Sequence, residues 1–381
     1  MRRAYPWAPL LVTPLTGIGI VWITRRWFPL AGGSGIPQTI AALEENREES
    51  APSRFVTLKI AGSKLFLGVS ALAAGFSVGR EGPSVQVAAS IMHAFRRFLP
   101  QDFSITPRHL ILAGGAAGIS AAFNTPLAGI IFAIEELGRR FEQKTNGILI
   151  TAIVISGLVS ISMQGNYTYF GQLQVGNIDK NILLPVLLCG LVCGISGGLF
   201  SRTLLQTISL TERTRLGRLR LYHPLYWAGF CGLLVALLGL ASDGIAHGSG
   251  YLQAHEMLDG TLHLPWYYAT VKFLATIFSY LSGIPGGIFA PALSIGAGIA
   301  TNLMPLFQNG PSVIAIGALC MAGFMAAVTQ APLTSFIIVM EMINGHSMVI
   351  SLMAVAMLAS FVSRIFSPPI YSTLAKQHLE K

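Results

Sequence analysis

The chain has 381 residues, with 25 Lys and Arg against 16 Asp and Glu for a formal charge of +9, and is 52% hydrophobic but only 11% charged. With a mean hydropathy of +0.62, that composition excludes an ordinary soluble globular domain and places the chain in a bilayer. The positive charge does not point to nucleic acid, because the basic residues are spread over loops rather than gathered into a patch with aromatic partners.

In chain order, the first apolar window runs from Ala4 to Thr24 and ends at Arg25 and Arg26, which mark a cytoplasmic end. No small-residue cleavage site follows it, so it does not read as a cleavable signal. Gly33-Ser34-Gly35-Ile36-Pro37 then puts a hydroxyl just before a proline suited to a first helical turn, ahead of a helix-forming stretch from Gln38 to Glu49. Gly79-Arg80-Glu81-Gly82-Pro83 repeats this pattern, with glycines that permit close approach. The next uncharged window, Leu110 to Ile134, leads into Glu135-Glu136, beside Arg139 and Arg140. Others run from Thr145 to Ile178, Asn181 to Ser201, Pro224 to Ser242 and Met342 to Ser363. Between Phe273 and Met340 there is no Asp, Glu, Lys or Arg, enough for two or three crossings at about 20 residues each.

The basic stretch from Arg202 to His223 is expected on the cytoplasmic side. His247 and His346 read as loop residues. Cys189, Cys193, Cys231 and Cys320 all lie in apolar windows and read as packing residues; Cys189 and Cys193 share a helical spacing but lack the His or acidic company of a metal site. Several windows carry Pro and Gly at mid-length. In lipid such breaks are tolerated where the freed backbone is buried in protein or lines a watery cavity, which predicts re-entrant or half-length helices around a permeation path.

Three signatures recur in the same order. Gly33-Ser34-Gly35, Gly79 to Pro83, and Phe123-Asn124-Thr125-Pro126-Leu127 leading to Glu135 are matched by Gly248-Ser249-Gly250, Gly287-Ile288-Phe289-Ala290-Pro291, and Thr329-Gln330-Ala331-Pro332-Leu333 leading to Glu341. Pro126 to Glu135 and Pro332 to Glu341 are both nine residues, and Pro83 to Pro126 is 43 against 41 for Pro291 to Pro332. The expectation is an all-α polytopic membrane protein built from two repeats, 1–178 and 179–381, with the site at their interface. The second half has two hydrophobic segments ahead of its Gly-Ser-Gly and the first half only one, so the expectation is that the chain starts inside a longer natural protein, with an upstream helix before Met1, or has lost a first helix. A reading frame without such a segment would refute this.

An anion crossing a membrane needs donors that replace its hydration without holding it too tightly. Helix N-termini offer unpaired N–H groups and about half a positive charge at the tip. A carboxylate at such a tip, as at Glu81, competes with the anion, so protonating it favours anion entry. Its alternative roles are capping its own helix or pairing with Arg80. For Glu136 the residues alone favour a solvated acid at a helix end beside Arg139 and Arg140. Glu341, the mate of Glu135, reads as a holder of helix contacts.

Gly-Ser-Gly-Ile-Pro, Gly-Arg-Glu-Gly-Pro and Gly-Gly-Ile-Phe-Ala-Pro in this order resemble the signature set of the CLC family of chloride channels and chloride/proton antiporters, from about Pro6 to Lys381. The resemblance implies the CLC fold, with two inverted-topology repeats of tilted and half-length helices and the family's first helices missing. It implies that Ser34 and Tyr371 coordinate a central anion, with the amides of Ile288 and Phe289 completing the cage. It also implies that Arg80, Glu81 and Gly82 border an outer anion site. Glu81 matches the gating glutamate that carries protons, and Glu136 matches the internal proton-transfer glutamate found in exchangers. Serine at position 34 points to chloride rather than nitrate, and the intact motif points away from fluoride.

The implied function is chloride/proton exchange, with chloride as the transported ligand and no cofactor. The expected setting is a homodimer with one pore per subunit, multi-pass in a bacterial inner membrane, and no cytoplasmic regulatory domain is expected after Tyr371. A passive chloride channel on the same fold is the alternative. A rhomboid-type intramembrane serine protease would use Gly32-Gly33-Ser34-Gly35, but it needs a partner histidine on a later membrane helix in a small-residue packing context, and none is evident. A purely structural membrane scaffold would leave the buried carboxylate and the repeated helix tips without a purpose.

Overall fold

The computed structural model describes residues 7–45, 53–98, 105–138, 146–165, 168–171, 182–210, 214–307 and 311–380. Among the described residues the chain forms seventeen α-helices and no strand longer than an isolated bridge. The first seven are α1 (Pro9–Trp27), α2 (Ile36–Glu45), α3 (Leu58–Ala73), α4 (Glu81–Ala94), α5 (Pro107–Phe123), α6 (Pro126–Phe132) and α7 (Asn146–Gln164). A π-helical turn, Ala133–Gly138, continues α6. Two connecting helices, α8 (Leu183–Ile208) and α9 (Arg215–Tyr222), lead to a second series. It comprises α10 (Pro224–Ala241), α11 (Tyr251–Leu258), α12 (Tyr268–Leu281), α13 (Phe289–Leu303), α14 (Val313–Thr329), α15 (Pro332–Ile343) and α16 (Val349–Phe366), and α17 (Ile370–Leu379) closes the chain.

Among the described residues, four helical stretches are long and apolar enough to cross a membrane by themselves: Leu183–Ile208, Pro224–Ala241, Phe289–Phe307 and His346–Phe366. Most of the remainder are shorter, because Gly and Pro interrupt the apolar windows as the sequence predicts. α2 stops at Glu45 rather than Glu49, and residues 46–49 lie outside the described set, as do Arg139, Arg140 and the expected boundary at 178–179. Large apolar side chains such as Leu11, Phe66, Ile350 and Ile365 are at least 70% exposed on the outer faces, a surface that suits lipid rather than water.

The order α1 to α7 recurs as α10 to α16, and matching positions adopt matching backbone. Gly33 and Gly35 have φ of 72° and 105°, and their mates Gly248 and Gly250 have 71° and 82°, a left-handed conformation that glycine adopts without steric cost. Asn124 and Gln330, which end α5 and α14, have φ of 55° and 58°. At the centre, Gly79 and its mate Gly287 exchange both backbone hydrogen bonds, at 2.7 and 2.8 Å. Such an antiparallel exchange between mates is what a local two-fold axis through that point requires. The helices nearest it approach closely, since a Cβ on Gly118 of α5 would lie 2.6 Å from the Ser84 carbonyl of α4; small residues permit this in membrane packing.

The same symmetry joins the ends of the two half-length helices. Glu135 accepts from the N–H groups of Leu333 and Thr334 at 3.0 and 2.7 Å, at the start of α15. Glu341 accepts from Leu127 and Ala128 at 3.2 and 2.8 Å, at the start of α6. Each carboxylate thus caps the other series' helix, satisfying N–H groups that have no intrahelical acceptor and meeting the positive end of the dipole. Glu341 holds helix contacts, as the sequence suggests, and Glu135 does the same. Truncating either one, Glu135→Ala or Glu341→Ala, is expected to cost about 1–2 kcal/mol, read as a lower thermal midpoint of the purified protein.

Candidate functional site

The elements above bring four chain breaks to one place. Ser34 lies in the turn before α2, Arg80 and Glu81 at the start of α4, Ile288 and Phe289 at the start of α13, and Tyr371 in the first turn of α17. Arg80 is the N-cap of α4 and Ile288 that of α13, so the first N–H groups of both helices lack acceptors in their own helix. All the named side chains except Arg80 are buried.

Glu81 is fully buried. Its Oε2 accepts from the Ala290 N–H at 3.4 Å, and the carboxylate also lies against the backbone N–H groups of Arg80 and Glu81 itself. The carboxylate therefore sits where the N-terminal dipoles of α4 and α13 converge, the environment a permeating anion would seek. Helix capping and anion competition are one geometry here, so the two sequence readings of Glu81 do not exclude each other. Arg80 points elsewhere, toward the Tyr169 hydroxyl.

The backbone at Gly79 is what lets the carboxylate lie there, since a Cβ on Gly79 would overlap Glu81 Oε2. Gly79 does not have a left-handed φ, so alanine is sterically tolerable to the backbone itself. Gly79→Ala is expected to push the carboxylate out of this position and raise chloride flux without matching proton flux, measured side by side in proteoliposomes. Unchanged coupling in a folded Gly79→Ala protein would contradict this.

Near Glu81, the Ser34 and Tyr371 hydroxyls face one another. Both are fully buried, and neither makes a hydrogen bond of normal geometry within the protein. Buried hydroxyls are seldom left so, and two donors converging on one point suit a small anion. Ser34 is held from behind: Gln38 accepts from the Gly35 N–H at 2.9 Å and donates to the Gly32 carbonyl at 2.5 Å. A Cβ on Gly82 would overlap Ser34 Oγ, which is why the start of α4 can approach this turn. Tyr371 packs edge-on against Phe289, ring centroids 5.8 Å apart, and Phe289 stacks in turn on Phe123.

Glu136 is only 4% exposed and lies in the π-helical turn after α6. The solvated helix-end acid that its residue context favours is therefore corrected: the turn rotates Glu135 outward to its capping task and Glu136 inward, within electrostatic reach of Tyr371. Sequence reasoning also missed Ala290, the mate of Gly82, and Tyr280, whose hydroxyl oxygen lies against the Ser34 N–H. The repeat register could have found the first; the second had no local signal. A cavity of about 260 Å³ opens beside Tyr280, lined by Gly33, Gln38, Arg25, Arg220 and His378 among others. Arg25 and Arg220 thus line the same cavity. Cys320 joins Cys189 and Cys193 in a buried thiol group, but among the described residues no cluster of His, Cys, Asp and Glu is arranged to hold a metal.

Residues 16–364 match the family model described as "Voltage gated chloride channel". The H(+)/Cl(-) exchange transporter ClcA of Klebsiella pneumoniae is 31% identical over 393 residues, covering 99% of this chain and 80% of that protein. ClcA of Citrobacter koseri is also 31% identical, over 390 residues with the same coverage of both chains. Among solved structures, a slow cyanobacterial Cl-/H+ antiporter superposes with a TM-score of 0.84 at 25% identity, covering 98% of this chain and 87% of that one. With the helix-tip site and the match over most of its length, the chain belongs to the CLC family, that of the voltage-gated chloride channels, as a polytopic membrane protein.

Proposed function

We propose that this protein is a secondary active transporter, not an enzyme, that exchanges chloride for protons. The observation that carries the reading is the buried Glu81 carboxylate at the joint N-termini of α4 and α13, within electrostatic reach of Tyr371, whose hydroxyl faces that of Ser34. Chloride binds between those hydroxyls and the amides of Ile288 and Phe289, and a second chloride takes the place of the carboxylate beside the backbone of Arg80 and Gly82. When Glu81 is charged it fills that outer position; when protonated it loses its attraction to the helix tips and yields to chloride. Anion entry and proton binding are linked for that reason. Glu136 is the inner proton-transfer residue, and its neutral neighbour Tyr371 keeps the anion between the two carboxyls. No cofactor takes part.

A gradient test decides between exchange and a passive channel. Purified protein in liposomes given a chloride gradient is expected to drive protons against their own gradient. Chloride flux with no such proton movement would establish the channel.

The arginine-lined cavity is the cytoplasmic mouth in this reading. Arg25→Gln is expected to weaken apparent chloride affinity about twofold to fivefold from that side alone, and less so at high salt, in flux assays with oriented protein. The protein works as a homodimer with one pore per subunit in a bacterial inner membrane, and crosslinking in native membranes tests the dimer.

A further inference from the structure

Two buried tyrosines, one after each series of helices, are within electrostatic reach of Glu81. Tyr371 follows the last residue of α16, Phe366, by five residues, and Tyr169 follows the last residue of α7, Gln164, by five. Each ring packs edge-on against a phenylalanine, Tyr371 on Phe289 with centroids 5.8 Å apart and Tyr169 on Phe123 at 5.5 Å. Those two phenylalanines stack on one another. The matching places hold different partners. The Tyr371 hydroxyl faces Ser34, whereas the Tyr169 hydroxyl accepts from the guanidinium of Arg80, the residue just before Glu81.

Tyr169 is fixed from several sides. It is only 5% exposed. Its carbonyl accepts from the Tyr251 hydroxyl at 2.8 Å, and the next residue, Phe170, donates its N–H to the Met342 carbonyl of α15 at 2.9 Å. Its ring also meets those of Phe170 and Tyr251 edge-on, at 5.2 and 4.7 Å. A hydroxyl already ordered by packing can hold a guanidinium in one place at little further entropic cost.

Arg80 has a competing partner one residue away. Its charge is permanent, and it remains within electrostatic reach of the Glu81 carboxylate. Paired with Glu81, it would stabilise the charged carboxylate against protonation, the opposite of what a proton-carrying gate needs. We infer that Tyr169 is a positioning residue whose hydroxyl keeps the Arg80 guanidinium off the Glu81 carboxylate, leaving that carboxylate able to take up a proton. The other titratable groups around the pair are Tyr371, with Tyr280 and Glu136 near it, and Tyr251, whose ring meets His255, itself paired with Asp259. Among these groups only Arg80 carries a permanent positive charge.

The inference rests on the exchange reading above, and chloride and proton fluxes of the full-length protein in proteoliposomes, measured over a pH series, separate the two. Wild type that moves chloride without protons would overturn the exchange reading itself. With exchange present in wild type, Tyr169→Phe keeps the ring and its packing and removes only the hydroxyl. The pH profile of its transport rate is expected to move to lower pH by about one unit, because an opposite charge brought against a carboxylate favours its charged form. The proton-to-chloride ratio should be kept, since Glu81 itself is intact. In an Arg80→Gln background the same Tyr169→Phe change should move the profile by less than about 0.3 unit, because the competing cation is gone. A hydroxyl that serves only packing predicts a lower thermal midpoint and equal effects in both backgrounds, and so does a profile set by His255. An unmoved or alkaline-shifted profile in Tyr169→Phe, or an equal shift with and without Arg80, would overturn the inference.

Discussion

Glu81→Gln is expected to abolish proton movement while chloride still crosses the membrane. Glutamine keeps the size of the side chain and can still reach the Ala290 N–H through its carbonyl oxygen, so the fold and the helix starts are left as they are. In the proposed mechanism, what it removes is the charge that competes with chloride and the proton that relieves that competition. Chloride flux in proteoliposomes should therefore persist, and uphill proton uptake on a chloride gradient should fall to the background leak. Coupled transport surviving in Glu81→Gln would show that another carboxylate carries the proton. Gly79→Ala gives a second route to the same state, since it displaces the carboxylate by contact and leaves its chemistry unchanged.

Glu136→Gln is expected to have the second largest effect, again loss of proton transport with chloride flux retained. The contrast with its neighbour makes the result specific. Glu135 and Glu136 are adjacent in sequence, yet one caps α15 and the other is buried near Tyr371. Glu135→Gln should therefore lower stability with little change in the proton-to-chloride ratio, and Glu136→Gln should change the ratio with little loss of stability. Measuring thermal midpoint and both fluxes on the two variants tests this directly. Equal effects of both substitutions on coupling would mean that the turn acts only through its shape.

The same turn marks the boundary between what the sequence shows and what it hides. Hydrophobic windows, their Pro and Gly breaks and the matched spacings from Pro83 to Glu135 and from Pro291 to Glu341 are local properties, and a bilayer penalises unpaired backbone strongly enough for such patterns to be legible. They sufficed to predict half-length helices and Glu341 as a contact residue, whereas the roles of Ser34 and Glu81 came from the family resemblance. The direction in which each member of an acidic pair points is not local. It depends on the π-helical register of 133–138, which nothing in Ala-Ile-Glu-Glu-Leu-Gly announces.

Charge burial shows the same division. Glu81 stands out in sequence because glycines and a proline surround it, and its function could be argued before any fold was known. Lys64 and Lys272 carry no such signature in the sequence. Only packing reveals that both are dry, both reach a Gly-Ser-Gly turn, and neither meets a carboxylate among the described residues. The membrane setting, the repeated signatures and the candidate helix tips are legible in the chain, because they follow from composition and spacing. Which N–H group of the other half Glu81 reaches and which hydroxyls converge emerge only from packing, because these are distances between residues far apart in the chain.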